Sequence, residues 1–184
     1  MIVALAIELL IGISDATAGP TPEEYVAYVA GGAKIVPAGQ LTIDGQRNLC
    51  GQRPTVLDEN LDDYAAAYPG FIILNPKLIA KVSTPVKLWI YSHSCGYQFR
   101  GPDPRIADCF AIERGRRQGW LTLSGLDEVC AFISPARGDN VHLPGPERCK
   151  LMRKCFDDAG LASPSIAPRD AKGPSEAEPL RHRQ

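Results

Sequence analysis

Four residues with reactive or metal-binding side chains lie close together in the segment YSHSCGYQFRGPDPRIADCFAIERGRRQGW, residues 91–120. They are His93, Cys95, Asp108 and Cys109. Imidazole, thiolate and carboxylate groups are zinc ligands, and a thiolate beside an imidazole can act as a nucleophile with its base. The segment therefore suggests three hypotheses: a metal site, a cysteine nucleophile, or a site that has lost its chemistry.

The hydrophobic pattern predicts that two helices position these side chains. Five residues recur at the spacing of one helix face: Val86, Trp89, Ile90, His93 and Tyr97. Asp103 followed by Pro104 is a typical helix start, and this second helix is expected to end at Gly119. We therefore expect His93 on the apolar face of the first helix and Asp108 on the second.

Two helices joined by a Gly-Pro turn, with a histidine in the first and Ala-Asp-Cys-Phe-Ala in the second, resemble the core of zincin metallopeptidases of the gluzincin kind. The resemblance covers Phe71 to Gly119, including the strand-like run FIILNP. In that family the first helix carries His-Glu-x-x-His, whose histidines bind zinc and whose glutamate activates the zinc-bound water. A glutamate of the second helix is the third ligand. The resemblance implies a zincin-like α+β scaffold.

This chain departs from the family pattern at the residues that perform the chemistry. His93 matches the first histidine, but in His93-Ser94-Cys95-Gly96-Tyr97 a serine stands at the general base and a tyrosine at the second histidine. Pro104 stands at the third ligand. The matching scaffold positions are Gly96, Ala107, Asp108, Phe110 and Ala111. The resemblance thus implies a scaffold that has lost peptidase activity, has no catalytic residue or cofactor, and acts by binding an unknown protein or peptide.

Three alternative roles remain for His93. A zinc-dependent peptidase could use the atypical ligand set His93, Tyr97 and Asp108, although that set lacks a base. Alternatively, His93 hydrogen-bonds Asp108 across the helix pair, an arrangement that supports metal sites and can persist without the metal. Finally, Cys95 could be a nucleophile with His93 as its base, but residues two apart on a helix point in different directions. His142 falls in a predicted loop, and its spacing does not indicate a ligand.

Residues 1–18 predict an export signal, because a short apolar run precedes Ala16-Thr17-Ala18, which has the form of a signal-peptidase site. We expect the mature chain to begin at Gly19 and to be periplasmic or secreted. Glu8 within the apolar run and the lack of a preceding Lys or Arg oppose this, and the alternative is a buried helix of a cytoplasmic protein. Cleavage would remove Glu8 and Asp15 and change the formal net charge from −1 to +1.

The cysteine count also favours export, because an even number of cysteines in an exported chain is typical of disulfides. The six are Cys50, Cys95, Cys109, Cys130, Cys149 and Cys155. We expect Cys95 and Cys109 to be bonded to each other or to the last three cysteines. No Cys-x-x-Cys pair occurs, so a zinc ribbon and a thioredoxin-type motif are not indicated.

A near-neutral chain gives no electrostatic reason to propose nucleic acid or, after signal cleavage, a membrane as partner. The basic residues Arg114, Arg116 and Arg117 fit a solvated helix C-terminus, where cations interact favourably with the helix dipole.

The length predicts one domain, residues 19–160, of the α+β class and stapled by disulfides. We expect a small antiparallel sheet from residues 34–74, with a tight turn at Asp44-Gly45, packed on a mainly helical C-terminal half. The acidic segment LDENLDDYAAAYPG is expected to be solvated. A third helix should start at Ser124, and a fourth should cover residues 146–156. Residues 161–184, rich in Pro, Ser and charge, predict a disordered tail.

Overall fold

The computed structural model describes residues 19–29 and 31–161, with Leu161 described by its backbone only. The predicted signal peptide and residues 162–184 of the predicted tail lie outside these ranges. Leu161 does not begin a tail but is the last residue of a helix. No helix in the described ranges is long and apolar enough to cross a membrane.

Six helices and six strands occur in the described residues. The strands are β1 (Lys34–Val36), β2 (Leu41–Ile43), β3 (Gln46–Asn48), β4 (Thr55–Leu57), β5 (Ala65–Tyr68) and β6 (Phe71–Leu74). The helices are α1 (Pro22–Tyr28), α2 (Pro76–Ile79), α3 (Thr84–Arg100), α4 (Pro104–Gln118), α5 (Leu123–Ile133) and α6 (Gly145–Leu161). The predicted α+β class is confirmed, with the strands before residue 75 and the long helices after it.

The four-stranded sheet is mixed rather than antiparallel, which corrects the prediction. Its order is β1-β4-β6-β5, and β4 pairs with β6 in parallel while the other two pairs are antiparallel. The parallel pair arises because the acidic segment after β4 crosses beyond the place that β6 later fills. Residues Ala65–Tyr68 of this segment form β5 at the sheet edge. A turn at Pro69-Gly70 then returns the chain antiparallel to β5, so β6 runs alongside β4.

Several local predictions are confirmed. Strands β2 and β3 form a separate hairpin whose turn residues Asp44 and Gly45 both have positive φ, 46° and 80°. The carboxylate of Asp103 caps α4, Pro104 is the first residue of that helix, and Gly119 ends it in the left-handed region.

Two helix boundaries differ from the prediction. Helix α5 is capped by Thr122, whose hydroxyl accepts a hydrogen bond from the Gly125 amide at 3.1 Å, rather than by Ser124. Helix α6 is longer than residues 146–156 because Ala159, one turn after Cys155, also packs into the core.

Helix α3 lies at the centre of the main core and packs against the sheet, α4 and α5. Its closest contact is with α4, where a Cβ atom at residue 96 would lie only 2.9 Å from Ala107 Cα. Gly96 is therefore needed for the two helices to approach, which explains the glycine in this position of the motif.

Two disulfides connect the long helices, and a third joins the segment after β3 to α3. They are Cys50–Cys95, Cys109–Cys155 and Cys130–Cys149, with Cα–Cα distances of 5.7, 5.3 and 5.2 Å. The partner of Cys109 belongs to the expected group, but Cys95 is bonded to Cys50, which the sequence did not predict. The β2–β3 hairpin brings Cys50 against α3, and this contact is not visible in sequence spacing. Three disulfides fit a protein of an oxidising compartment.

We predict that peptide mapping of unreduced protein will recover these three pairings. Replacing Cys50 and Cys95 together by alanine is expected to lower the free energy of unfolding by about 2–4 kcal/mol, because the open chain gains entropy when unfolded. Urea unfolding measures this cost. Alkylation of all six thiols without prior reduction would contradict both the pairings and the oxidising compartment.

Candidate functional site

A buried carboxylate, Asp108, is the centre of the candidate site. Its side chain is 1% exposed and lies on α4, facing α3 and α6. On the α3 side, His93 Nδ1 lies 2.8 Å from Asp108 Oδ1. A carboxylate can only accept, so Nδ1 carries the proton and donates it. The predicted hydrogen bond between His93 and Asp108 is confirmed.

The second partner of Asp108 is Arg148, which sequence analysis missed. Arg148 Nε donates to Asp108 Oδ2 and its Nη2 donates to Oδ1, both at 2.8 Å. The guanidinium also lies over the Trp89 ring, with Cζ 5.3 Å from the centroid. No local motif predicts this pair, because forty residues and a long loop separate its members along the chain.

The protonation of this cluster follows from its contacts. Burial by itself raises the pKa of Asp108, but hydrogen bonds from Arg148 and His93 outweigh it and hold the pKa below the ordinary value of 3.8. Burial lowers the pKa of Arg148, whereas its contacts with Asp108 raise it, and the net shift is upward. The carboxylate and the guanidinium are therefore both charged, as a neutral pair in the protein interior.

Tyr97 and His142 lie beside His93 at the mouth of the site. The ring centroid of His93 lies 5.0 Å from that of Tyr97 and 6.3 Å from that of His142. His142 Nδ1 lies 3.2 Å from Asp139 Oδ2, and the Tyr97 hydroxyl lies 3.3 Å from His142 Nε2. Burial, together with the nearby Asp108, raises the pKa of Tyr97 to about 12, so Tyr97 is a neutral donor.

These side chains lie along a cleft of about 1150 Å³, which we call the α3 cleft. Its floor is the Trp89, His93 and Tyr97 face of α3. One wall is strand β5, and the other is the end of α5 with the loop that follows, residues 132–143. Sites for small ligands occupy roughly 300–1,000 Å³, so this cleft has room for a chain segment.

Within the part of the chain that the structure describes, strand β5 is the edge of the sheet and presents unpaired backbone groups to its surroundings. Tyr64 O accepts from Asn75 N at 3.0 Å, and strand pairing alternates by residue, so the backbone of Ala66 faces β6. The backbone groups of Ala65 and Ala67 therefore face away from the sheet. Their side chains are small, which leaves this edge accessible.

Gln98 fixes the position of the β5–β6 turn relative to α3, and sequence analysis did not single it out. Its Nε2 donates to Tyr68 O at 2.7 Å, and its Oε1 accepts from Gly70 N at 3.1 Å. Arg53 Nε donates to the same Oε1 at 3.1 Å. One side chain thus holds the end of the cleft wall on the helix that forms the floor.

The atypical zinc set His93, Tyr97 and Asp108 fits the geometry poorly. Both oxygens of Asp108 already accept hydrogen bonds, and the pKa of Tyr97 opposes a phenolate ligand. In the described ranges, no group of three or more His, Cys, Asp and Glu side chains is placed to bind a metal ion. Ser94, at the position of the base, is 5% exposed. Cys95 is bonded to Cys50, so it is not a free nucleophile.

We predict that Arg148→Ala lowers the free energy of unfolding by about 3–5 kcal/mol, because Asp108 would be left as an unpaired buried charge. Arg153→Ala is the matched control, since its pair with Asp127 is exposed and should be worth at most about 1 kcal/mol. Urea unfolding at neutral pH compares the two. Equal costs would contradict a dominant role of the buried pair.

The same pair predicts a pH dependence of stability. Because the pKa of Asp108 is lowered by folding, its contribution is complete above 3.8 and is lost as pH falls through that value towards the folded-state pKa. The stability difference between the parent and Arg148→Ala should therefore shrink in acid. A difference that stays constant down to pH values well below 3.8 would contradict the assignment.

No protein-family model, curated protein or solved structure matches this chain. The gluzincin resemblance therefore stays a prediction based on its own residues, and the function has to be argued from the geometry of the α3 cleft.

Proposed function

We propose that this protein is an exported, disulfide-stapled, zincin-like scaffold without peptidase activity, and that it binds a protein or peptide segment in extended form in the α3 cleft. The observation that carries the proposal is the edge of β5, which no other described strand pairs with, beside an open cleft. An extended segment can add to such an edge as a further strand, with main-chain hydrogen bonds giving affinity.

The composition of the cleft supports a peptide as its ligand. Apolar side chains of Trp89, Ile90, Phe132 and Leu143 line it, together with the polar tips of Tyr97 and His142. Outward backbone groups of Ala65 and Ala67 can pair with alternate residues of an extended chain. Trp89 Nε1 is buried and has no hydrogen-bond partner among the described residues.

The loss of catalysis is supported by the residues at the expected working positions. Ser94 cannot replace a glutamate as general base, and Pro104 supplies no ligand atom from its side chain. Asp108 belongs to an ion pair with Arg148 rather than to a ligand set. His93 then has a positioning and hydrogen-bonding role at the cleft floor.

The three disulfides and the predicted export signal support a periplasmic or secreted location for this binding protein. The partner is a polypeptide rather than nucleic acid, and after signal cleavage no membrane is needed. We infer no cofactor for this function.

A zinc-dependent peptidase with an atypical ligand set is the alternative, and one observation favours it. The Nδ1 atoms of His93 and His142 both face carboxylates, those of Asp108 and Asp139, at 2.8 and 3.2 Å. Carboxylates in this position orient histidines in metal sites so that Nε2 binds the ion. The Nε2 atom of His142 already faces Tyr97, and among residues 19–29 and 31–160 no glutamate lies beside either histidine.

A peptide-selection experiment tests the proposal. A random peptide library is passed over the immobilised mature protein, and retained peptides are titrated against it by fluorescence anisotropy. We expect saturable binding that is weakened about tenfold or more by Ala67→Pro, which removes an outward N–H from the edge strand. Ala67→Val is the matched control, because it keeps the N–H and fills similar space.

N-methylation of every second residue of a bound peptide should weaken binding, whereas N-methylation of the residues between them should not. Equal affinity of the parent and Ala67→Pro would reject the edge-strand mode. A library of quenched fluorescent peptides is incubated in parallel with and without zinc. Zinc-dependent cleavage that disappears in His93→Ala would replace the proposal by the alternative.

A further inference from the structure

We propose a second binding surface, on a different face of α3 from the α3 cleft, that takes an apolar side chain flanked by carboxylates from an acidic protein segment. We call it the Phe99 patch and define it by Leu49, Phe99, Ile106 and Phe110. The inference does not rest on the peptide-binding function of the cleft.

The Phe99 patch exposes large apolar side chains next to one another. Leu49, Phe99 and Ile106 are 51%, 48% and 46% exposed. Phe99 stacks on Phe110 with centroids 6.3 Å apart, and Ile106 lies one helix turn before Phe110 on α4. Single exposed apolar residues are ordinary, but a contiguous group with a polar rim is typical of an interaction site.

A cavity of about 290 Å³ opens between these side chains. Leu49, Phe99 and Phe110 form its apolar lining, and Arg114 and Arg117 border it. The Cys50–Cys95 disulfide lies beneath, because Cys95 lines the same cavity and Cys50 follows Leu49. The covalent bond between the hairpin segment and α3 thus holds the two walls of the cavity in place.

Arginines surround the patch and define the chemistry of its partner. Arg53 Cζ lies 4.4 Å from the Phe99 centroid, and Arg100 Cζ lies 5.9 Å from that of Phe110. Arg114 Nη2 donates to Leu49 O at 2.7 Å. Arg117 contacts Glu113 at 3.3 Å, which is the one ion pair that these four arginines form within the described ranges. The rim therefore has an excess of positive charge, which complements an acidic segment.

This finding corrects the expectation that the basic end of α4 is simply solvated. Arg114 and Arg116 are half-buried, and Arg116 donates to Phe156 O, so both have structural contacts. Arg117 is exposed. The expectation therefore holds for Arg117 and is wrong for Arg114 and Arg116, whose guanidinium groups have structural contacts.

The concave shape favours an inserted side chain of a protein over a flat lipid surface. Phe99 follows His93 by six residues, which places it about 120° away around the helix axis, so the patch and the cleft use different faces of α3. A partner can therefore occupy the Phe99 patch without entering the cleft.

The test uses the mature protein and three labelled peptides of equal length: one phenylalanine between aspartates, the same peptide with alanine for phenylalanine, and one with lysines for aspartates. We expect the first peptide to bind saturably and the other two to bind at least about tenfold more weakly than the first. Phe99→Ser should reduce binding of the first peptide by about tenfold, the effect of removing a central aromatic anchor. Arg117→Glu should also weaken it.

Two matched variants control for general surface effects. Leu123→Ser removes another exposed apolar side chain, and Arg153→Glu reverses another exposed arginine that contacts a carboxylate. Both should bind the first peptide like the parent. Melting curves confirm that all variants are folded, and Ala67→Pro should leave this binding unchanged, which separates the patch from the cleft.

Three outcomes would overturn the proposal. They are absence of saturable binding to the acidic phenylalanine peptide, equal binding by Phe99→Ser, and preference for the lysine peptide. Sedimentation with anionic phospholipid vesicles is measured in parallel. Vesicle binding that Phe99→Ser abolishes, without binding of the acidic peptide, would assign the patch to a membrane surface instead.

Discussion

The ion pair between Asp108 and Arg148 is the interaction on which the helical half depends. A charged carboxylate that is 1% exposed is stable only with a partner of opposite charge and with its oxygens hydrogen-bonded, and here Arg148 and His93 provide both. The three residues belong to α4, α6 and α3, so the pair fixes how these helices meet. Two disulfides act at the same place, since Cys109 follows Asp108 and Cys149 follows Arg148.

Helix α3 transmits this constraint to both surfaces of the protein. One face places His93 on Asp108 and forms the floor of the α3 cleft, while Gln98 attaches the β5–β6 turn. The other face carries Cys95 and Phe99. Because Gly96 lets α4 approach α3 at backbone distance, neither face can shift without moving the other helix.

Local chemistry in the sequence was sufficient to predict many elements. The Asp44-Gly45 turn, the Asp103-Pro104 helix start and the glycine end of α4 each depend on residues that are neighbours in the chain. The contact between His93 and Asp108 was also predictable, because two adjacent helices with a short connection must pack together. Helix periodicity then places the two side chains on facing surfaces.

Long-range contacts could not be predicted in the same way. Arg148 pairs with Asp108, and Cys50 with Cys95, across forty or more residues of the chain, and neither has a local pattern that marks its partner. The parallel pairing of β4 and β6 depends on where β5 lies, and a weakly apolar run of three alanines gives little strand signal. These features are consequences of tertiary packing, so they appear only once the sheet and helices are assembled.

The charge balance of the cleft floor connects the ion pair with the proposed function. Asp108 would be the group that orients His93 towards a cation in a zincin-like site. Because Arg148 donates to both oxygens of Asp108, the negative charge of Asp108 is already neutralised. A divalent cation bound by His93 would then add two positive charges near the Arg148 guanidinium, and the carboxylate of Asp139 in the same cleft contacts His142 instead. An uncharged peptide backbone adds no net charge to this floor, and this charge balance is the link between the ion pair and the proposed peptide-binding function.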